Sequence, residues 1–129
     1  MITNHEQVVT TIVKALEVAW NAADGTCFGL PFAEDADFVT IRGEHARTRQ
    51  AIAAGHQAIF DTIYRDSVVR LEASQVRDIS PRVLLVQVRG FLKAPSGPLA
   101  GEHNSLATMV LVESEQEWRI ASFHNSIVR

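Results

Sequence analysis

The sequence is poor in the residues that build several common kinds of site. Its 129 residues contain one cysteine, Cys27, which excludes an internal disulfide and any zinc or iron-sulfur site made of several cysteines. Twelve Lys and Arg against 15 Asp and Glu give a net charge of -3, so no basic field favours nucleic acid or an anionic membrane. No export segment is evident, and no apolar run approaches the ~20 residues that span a bilayer. These features predict a cytoplasmic protein.

Familiar catalytic motifs are missing as well. The sequence has no glycine-rich nucleotide loop, no nucleophile elbow, no paired-histidine zinc helix and no acidic metal-binding loop. We therefore expect no metal and no cofactor, and any chemistry must use residues scattered along the chain. With this length and 47% hydrophobic residues, we expect one domain over residues 1–129.

Hydrophobic periodicity predicts an α+β fold. Apolar residues recur at helical spacing over residues 3–23 and 48–65, with one short helical turn over residues 26–32. Thr3 and Glu6 form a capping-box start for the first helix, and Asp24-Gly25 is a fitting stop. A first strand is expected over residues 37–41, and alternation predicts four more, over residues 69–74, 82–92, 103–113 and 118–128.

The last two predicted strands form a hairpin whose register can be inferred. A tight turn at Glu115-Gln116 pairs Phe123 with Thr108 and Asn125 with Leu106, which places all four on one face. The opposite face is also largely apolar. Because an antiparallel sheet usually leaves one face in water, we expect helices to cover the inner face and a second copy of the chain to cover the outer one.

Four stretches of the sequence resemble a known family. They are residues 19–24 (AWNAAD), 32–38 (FAEDADF), 49–52 (RQAI) and 118–125 (WRIASFHN). The chain is similar over nearly its whole length to SgcJ/EcaC-type members of the SnoaL-like group, within the nuclear transport factor 2-like superfamily. The resemblance implies a cone in which a curved antiparallel sheet wraps a long helix, with two further N-terminal helices and a pocket open at one end. It also implies pairing through the outer sheet face.

The family includes isomerases, dehydratases, polyketide cyclases and association domains without chemistry, so proton transfer beside a carbonyl is the reaction to look for. His56 is the only polar residue on the buried stripe of its helix; it is either a neutral general base or a core histidine bonded to the backbone. Asn125 can donate its amide to a substrate oxygen or tether the last strand. Asp37 is a third candidate, as a carboxylate base or as a turn cap.

In a cone of this kind, aromatic side chains line the pocket. The residues expected to contact a ligand are Trp20, Phe32, Phe38, Phe60, Tyr64, Thr108 and Phe123. A pocket of ~300 to 1,000 Å³ with this lining would take a small, flat, apolar or aromatic organic molecule. Two functions are predicted: an isomerase, cyclase or dehydratase that works by proton transfer, or a non-catalytic binding or dimerisation module with a closed pocket.

Overall fold

The computed structural model describes residues 4–129, which form three helices and one six-stranded sheet. The helices are α1 (Asn4–Asn21), α2 (Gly25–Gly29) and α3 (Arg49–Phe60). The strands are β1 (Phe32–Val39), β2 (His45–Arg47), β3 (Val68–Ser80), β4 (Val83–Ala94), β5 (Gly101–Ser114) and β6 (Glu117–Val128), in the sheet order β2-β1-β6-β5-β4-β3. None of the helices in this range is both long and apolar enough to cross a bilayer.

The order of elements confirms the predicted α+β fold, with differences at particular boundaries. α3 ends at Phe60 and turns occupy residues 61–66, so the third helix is shorter than predicted. β1 begins at Phe32 rather than at residue 37, and the three-residue β2 was not predicted. Thr3, the expected first cap, lies outside the described residues.

The sheet is mixed, which corrects the expectation of an antiparallel one. β1 runs parallel to β6, with Phe38 opposite Phe123, whereas every other pairing within the described chain is antiparallel. Parallel neighbours need a crossover connection rather than a hairpin. Here β2, α3, β3, β4 and β5 together form this connection. The sequence patterns that indicate hairpins do not reveal a pairing between strands so far apart in the chain.

The β5–β6 hairpin has the predicted turn but not the predicted register. Glu115 and Gln116 both have positive φ, 52° and 66°, as expected for a two-residue turn. The pairing is regular as far as Leu111 opposite Ile120, and then a bulge at Ala121 moves the register by one residue. As a result Phe123 lies opposite Met109 and Asn125 opposite Ala107.

This bulge reverses the predicted orientation of β5 while keeping that of the end of β6. Ala107 and Met109 are buried on the inner face with Phe123. Thr108 therefore lies on the outer face, where its hydroxyl donates to Gln87 Oε1 at 2.9 Å. The placement of Thr108 beside Asn125 in the pocket was wrong, because a single extra residue shifts every later pairing on one strand.

The core lies between the helices and the inner face of the sheet. Val9, Val13 and Leu16 recur at helical spacing in α1 and belong to one buried cluster with Val86 of β4 and Met109 of β5. This packing fixes α1 along the sheet and leaves the far end of α1, near Trp20, beside α2 and α3.

Gly25 allows α2 to approach α3 closely. Its amide donates to Gln57 Oε1 at 2.8 Å, and a Cβ at this position would lie 2.5 Å from the Ala53 carbonyl oxygen. Gly25 is therefore not the stop of α1 that the sequence predicted. Ala23, with φ of 54°, takes the left-handed position after α1, and Asp24 caps α2 by accepting from the Cys27 amide at 3.0 Å.

Candidate functional site

The helices and the inner face of the sheet line a partly open cavity of about 130 Å³. All three helices and every described strand except β2 contribute to its lining. The lining contains no Asp, Glu, Lys or Arg from the described residues; it is built largely from aliphatic and aromatic side chains, the aromatic ones being Trp20, Phe28, Phe38, Tyr64 and Phe123. The cavity is smaller than the ~300 to 1,000 Å³ expected from the sequence.

His56 lines this cavity from α3 and is only 5% exposed. Its Nδ1 lies 2.8 Å from the carbonyl oxygen of Ile52, one helical turn earlier. Because a carbonyl oxygen only accepts hydrogen bonds, this contact assigns the ring proton to Nδ1 and leaves a lone pair on Nε2. Burial lowers the pKa of His56 from 6.5 to about 4, and the bond to Ile52 offsets only part of that effect.

The Nε2 atom of His56 has no hydrogen-bond partner among residues 4–129. In the same range, no side-chain nitrogen or oxygen that is sealed from solvent lacks a partner. Nε2 is therefore accessible, and His56 is one of the residues that line the cavity. A ligand in the cavity would meet a hydrogen-bond acceptor at this point.

Aromatic rings hold the imidazole of His56 in one orientation. Phe28 stacks on it with ring centroids 4.0 Å apart and planes 24° from parallel, and Phe38 meets it edge-on at 4.7 Å and 83°. Trp20 lies 6.2 Å away, and its indole nitrogen donates to the buried Ser67 hydroxyl at 3.0 Å. These contacts explain both the burial of His56 and the low pKa of its ring, because apolar rings cannot solvate an imidazolium as water does.

Asn125, near the C-terminal end of β6, is another polar side chain that lines the cavity. Its Oδ1 accepts from the amide of Ser126 at 3.1 Å, while the side-chain nitrogen makes no hydrogen bond within residues 4–129. Asn125 therefore offers donors to a ligand. The cavity thus combines an acceptor at His56 with a donor at Asn125, in a lining to which the described residues contribute no charged side chain.

Of the other predicted ligand contacts, Trp20, Phe38, Tyr64 and Phe123 line the cavity, whereas Phe32, Phe60 and Thr108 do not. Phe32 and Phe60 are buried behind the lining, where Phe32 packs on Phe38 and Phe60 on Trp20. Hydrophobic periodicity predicts burial but does not distinguish the wall of a cavity from the core behind it. The outward orientation of Thr108 follows from the bulge in β6.

Asp37 lies away from the cavity, which corrects its place among the candidate catalytic residues. It neighbours Phe38 on β1 and points to the opposite side of the sheet. Its side chain is 41% exposed, its Oδ1 lies 2.8 Å from His45 Nε2, and Arg47 Nε is 3.6 Å away. These contacts join β1 to β2 at the edge of the sheet, so Asp37 links two strands and does not meet a ligand in the cavity.

Several lining residues were not singled out from the sequence. Val69 and Leu71 of β3 and Val88 of β4 line the cavity, and the alternation in those strands is the signal that identifies them. Phe28 differs from these, because it is one of the aromatic residues expected at the pocket, and it stacks on His56 from a five-residue helix that periodicity barely defines. Residues 4–129 contain no group of three or more His, Cys, Asp or Glu side chains placed to hold a metal ion.

Residues 9–129 match the family model of the SnoaL-like domain. Among curated proteins, none matches the chain. A solved domain of unknown function with a cystatin-like fold, from Nostoc punctiforme, is 27% identical with a TM-score of 0.89; the match covers 98% of this chain and 80% of that one. The match confirms the cone-shaped α+β architecture expected from the sequence.

Two solved structures with more specific descriptions share the fold at low identity. A hexachlorocyclohexane dehydrochlorinase has a TM-score of 0.87 and 5% identity, with 97% of this chain and 86% of that one covered. A ketosteroid isomerase-like protein from Erwinia carotovora atroseptica has a TM-score of 0.80 and 16% identity, with 98% and 99% covered. At these identities the likeness shows the fold alone.

Proposed function

The chain belongs to the SnoaL-like domain family, and from that premise we propose that its cavity binds a small organic molecule and that His56 takes up a proton from it. The SgcJ/EcaC subtype stays a prediction. The single observation that carries the proposal is the hydrogen bond of His56 Nδ1 to the Ile52 carbonyl at the wall of the cavity, which leaves Nε2 without a partner among the described residues. A general base needs such an unprotonated, accessible nitrogen.

Asn125 supplies the second part of the proposed reaction. When a base removes a proton beside a carbonyl group, negative charge develops on the carbonyl oxygen. The side-chain nitrogen of Asn125 has hydrogens to offer and no acceptor of its own within the described chain. In an apolar cavity, a donor aimed at that oxygen stabilises the developing charge more than it would in water. Isomerisation, cyclisation and dehydration all begin with this step.

A second candidate function is ligand binding without chemistry. The observation in its favour is that a backbone carbonyl, and not a carboxylate, accepts the hydrogen bond of His56 Nδ1. An uncharged acceptor stabilises the protonated ring less, and a base with a pKa of about 4 takes protons only from substrates whose acidity matches it. Binding without turnover is the outcome if the ligand has no acidic C–H group.

The proposal includes a homodimer formed through the outer face of the sheet. Leu85 of β4 and Val110 and Val112 of β5 are half-buried on that face, and Leu106 is 40% exposed there. The described helices pack on the inner face, so no helix of residues 4–129 covers these residues, and we place a second copy of the chain there. Light scattering is expected to give twice the mass of one chain, and Leu106→Lys is expected to shift the equilibrium towards monomer. A monomer at high concentration would contradict this part of the proposal.

Deuterium exchange tests the catalytic part. A panel of small cyclic ketones is incubated in heavy water, and NMR follows exchange of the protons beside the carbonyl group. We expect the wild type to accelerate exchange of at least one compound, His56→Leu to lose ~100-fold or more, and Asn125→Leu to lose a comparable amount. Thr108→Val, on the outer face, is the matched control and is expected to behave as wild type.

The outcomes separate the two candidate functions. Equal acceleration by wild type and a folded His56→Leu variant would contradict the role of His56. Binding of the ketones without any acceleration by the wild type would favour the non-catalytic binding module.

A further inference from the structure

We infer that the cavity selects uncharged, single-ring compounds that carry a hydroxyl group and, elsewhere on the ring, a carbonyl group. This rests on the proposed function only in taking the cavity as the binding site; it does not require turnover. Three independent properties of the lining lead to it: the volume, the absence of charge, and the hydrogen-bonding state of two side chains.

The volume sets the size of the ligand. At about 130 Å³, the cavity is close to the ~150 Å³ of engineered apolar cavities that admit benzene. One six-membered ring with one or two short substituents fills such a space. A fused two-ring skeleton exceeds it, and the fully buried Val88 and the close packing around Gly90 leave little room to expand on the sheet side.

The composition of the lining sets the charge of the ligand. No Asp, Glu, Lys or Arg of the described chain contributes to the cavity wall, and the buried His56 is neutral because its pKa is about 4. An anion or cation would lose its hydration on entry without gaining a partner of opposite charge, at a cost of several kcal/mol. An uncharged ligand avoids this penalty.

Two side chains set the polar pattern of the ligand. His56 Nε2 is an acceptor only, because Nδ1 holds the ring proton against Ile52, so the ligand group beside it must be a donor. The free nitrogen of Asn125 is a donor only, so the group beside it must be an acceptor. A hydroxyl group at the first position and a carbonyl oxygen at the second satisfy both.

The other polar side chains of the lining are Thr40, Tyr64, His103, Asn104 and Ser105, and none of them opposes this pattern. The side-chain amide of Asn104 has both a donor and an acceptor, so it tolerates either kind of ligand group. Thr40 Oγ1 accepts from the amides of Arg42 and Glu44 at 3.3 and 3.1 Å, and His103 Nε2 is bonded to the Leu99 carbonyl at 2.8 Å. The hydroxyl groups of Tyr64 and Ser105 can donate or accept and so tolerate either kind of ligand group.

By the same reasoning as for His56, the bond of His103 to Leu99 leaves His103 Nδ1 as an acceptor, which also favours a ligand donor. His56 is buried and His103 only half-buried, so an unmatched acceptor costs more at His56, and discrimination comes mainly from His56 and Asn125.

Calorimetric titration with hydroxyacetophenones tests the inference. The meta and para isomers are the probes, and each control lacks one property: acetophenone lacks the hydroxyl donor, the ethylphenols lack the carbonyl, hydroxybenzoates carry a charge, and hydroxyacetonaphthones have a second ring. For at least one isomer we expect ~10-fold weaker binding when the donor or the acceptor is removed, and ~100-fold weaker binding of the charged compound. The two-ring compound is expected not to bind.

A variant tests whether the preference for a ligand hydroxyl group depends on His56 Nε2. In His56→Phe the acceptor is gone, so the affinity ratio between hydroxyacetophenone and acetophenone is expected to fall from ~10 to about 1. Thr108→Val is expected to keep the wild-type ratio, because Thr108 lies on the outer face. If His56→Phe does not fold, His56→Gln replaces it, and the compound series on the wild type decides the question by itself.

The outcomes are distinct from those of the catalytic proposal. Equal or tighter binding of the charged or two-ring compounds, or no binding of either hydroxyacetophenone, overturns the inference even if deuterium exchange is observed with other ketones. The expected ranking without any exchange upholds the inference and contradicts catalysis by His56.

Discussion

Phe28 lies almost flat against His56, with ring centroids 4.0 Å apart and ring planes 24° from parallel. One side of the candidate base is therefore formed by α2, a helix of five residues. A helix this short has little stability of its own, so its position depends on its contacts with α3. Gly25 and Gly29, four residues apart, face Ala53 of α3 and allow that contact.

Gly25→Ala is expected to destabilise the protein by about 1 to 3 kcal/mol. The added Cβ would lie 2.5 Å from the Ala53 carbonyl oxygen and 2.8 Å from the Gln57 Cβ, so α2 must move away from α3. Gly55→Ala is the matched control within α3. Nothing lies within 4 Å of its Cβ, and the substitution is expected to stabilise the helix by about 0.5 to 1 kcal/mol.

Urea unfolding of these two variants at one protein concentration measures the difference. A Gly25→Ala variant as stable as the wild type would show that α2 does not pack on α3 as described.

Because of His56, the free energy of unfolding is expected to decrease as the pH is lowered. The pKa of His56 is about 4 in the folded protein and near 6.5 in the unfolded chain, so the unfolded state binds more protons between these values. The free energy of unfolding therefore decreases as the pH is lowered through this window. The total contribution is about 3 kcal/mol, at ~1.4 kcal/mol per pH unit.

Urea unfolding across the same pH window tests this expectation. In His56→Phe that part of the slope should disappear, and the exposed His124→Gln should keep it. An unchanged slope in His56→Phe would mean that the buried histidine is not the group responsible.

The turn between β5 and β6 offers a stabilising change. Glu115 and Gln116 both occupy left-handed conformations, at φ of 52° and 66°, where Asn and Gly are favoured. The double variant Glu115→Asn/Gln116→Gly is expected to raise the free energy of unfolding by about 1 kcal/mol. The adjacent Glu117→Asn, in regular strand geometry, is expected to give no gain. A double variant less stable than the wild type would argue against this turn.

Asn125 and Thr108 are expected to differ in their effect on ligand binding. Asn125→Leu removes the donor from the cavity and is expected to weaken binding of a carbonyl ligand by ~10-fold. Thr108→Val removes a hydroxyl group on the outer face and is expected to leave binding unchanged. The pair is compared by calorimetric titration with the same ligand. Loss of binding in Thr108→Val but not in Asn125→Leu would contradict the outward orientation of Thr108 and would support a β5–β6 pairing without the bulge.

The order of helices and strands was predictable because it follows from the spacing of apolar residues. The buried stripe of α3 predicted that His56 points towards the sheet, and in the structure His56 is buried. The three-residue β2 is too short to show a periodicity, and the parallel pairing of β1 with β6 joins segments far apart in the chain. Neither leaves a local signal.

The site was predictable only in part. Ala121 and Ser122 are both small, so the sequence does not mark the bulge that turns Thr108 outward and keeps Asn125 inward. The bond between His56 and Ile52 depends on the rotation of one imidazole, and the volume of the cavity depends on how all the side chains pack. These properties belong to the folded chain and not to any segment of it.

Nitrogen NMR of the His56 imidazole tests the central claim most directly. At neutral pH, in the free protein, the account predicts a neutral ring with its hydrogen on Nδ1 and none on Nε2. Addition of a hydroxyacetophenone that binds the cavity is expected to shift the Nε2 resonance, because a hydrogen bond forms at that atom. The Nδ1 resonance is expected to stay nearly unchanged. A hydrogen on Nε2, a charged ring, or an Nε2 resonance that does not shift when the ligand is added would contradict the proposed role of His56.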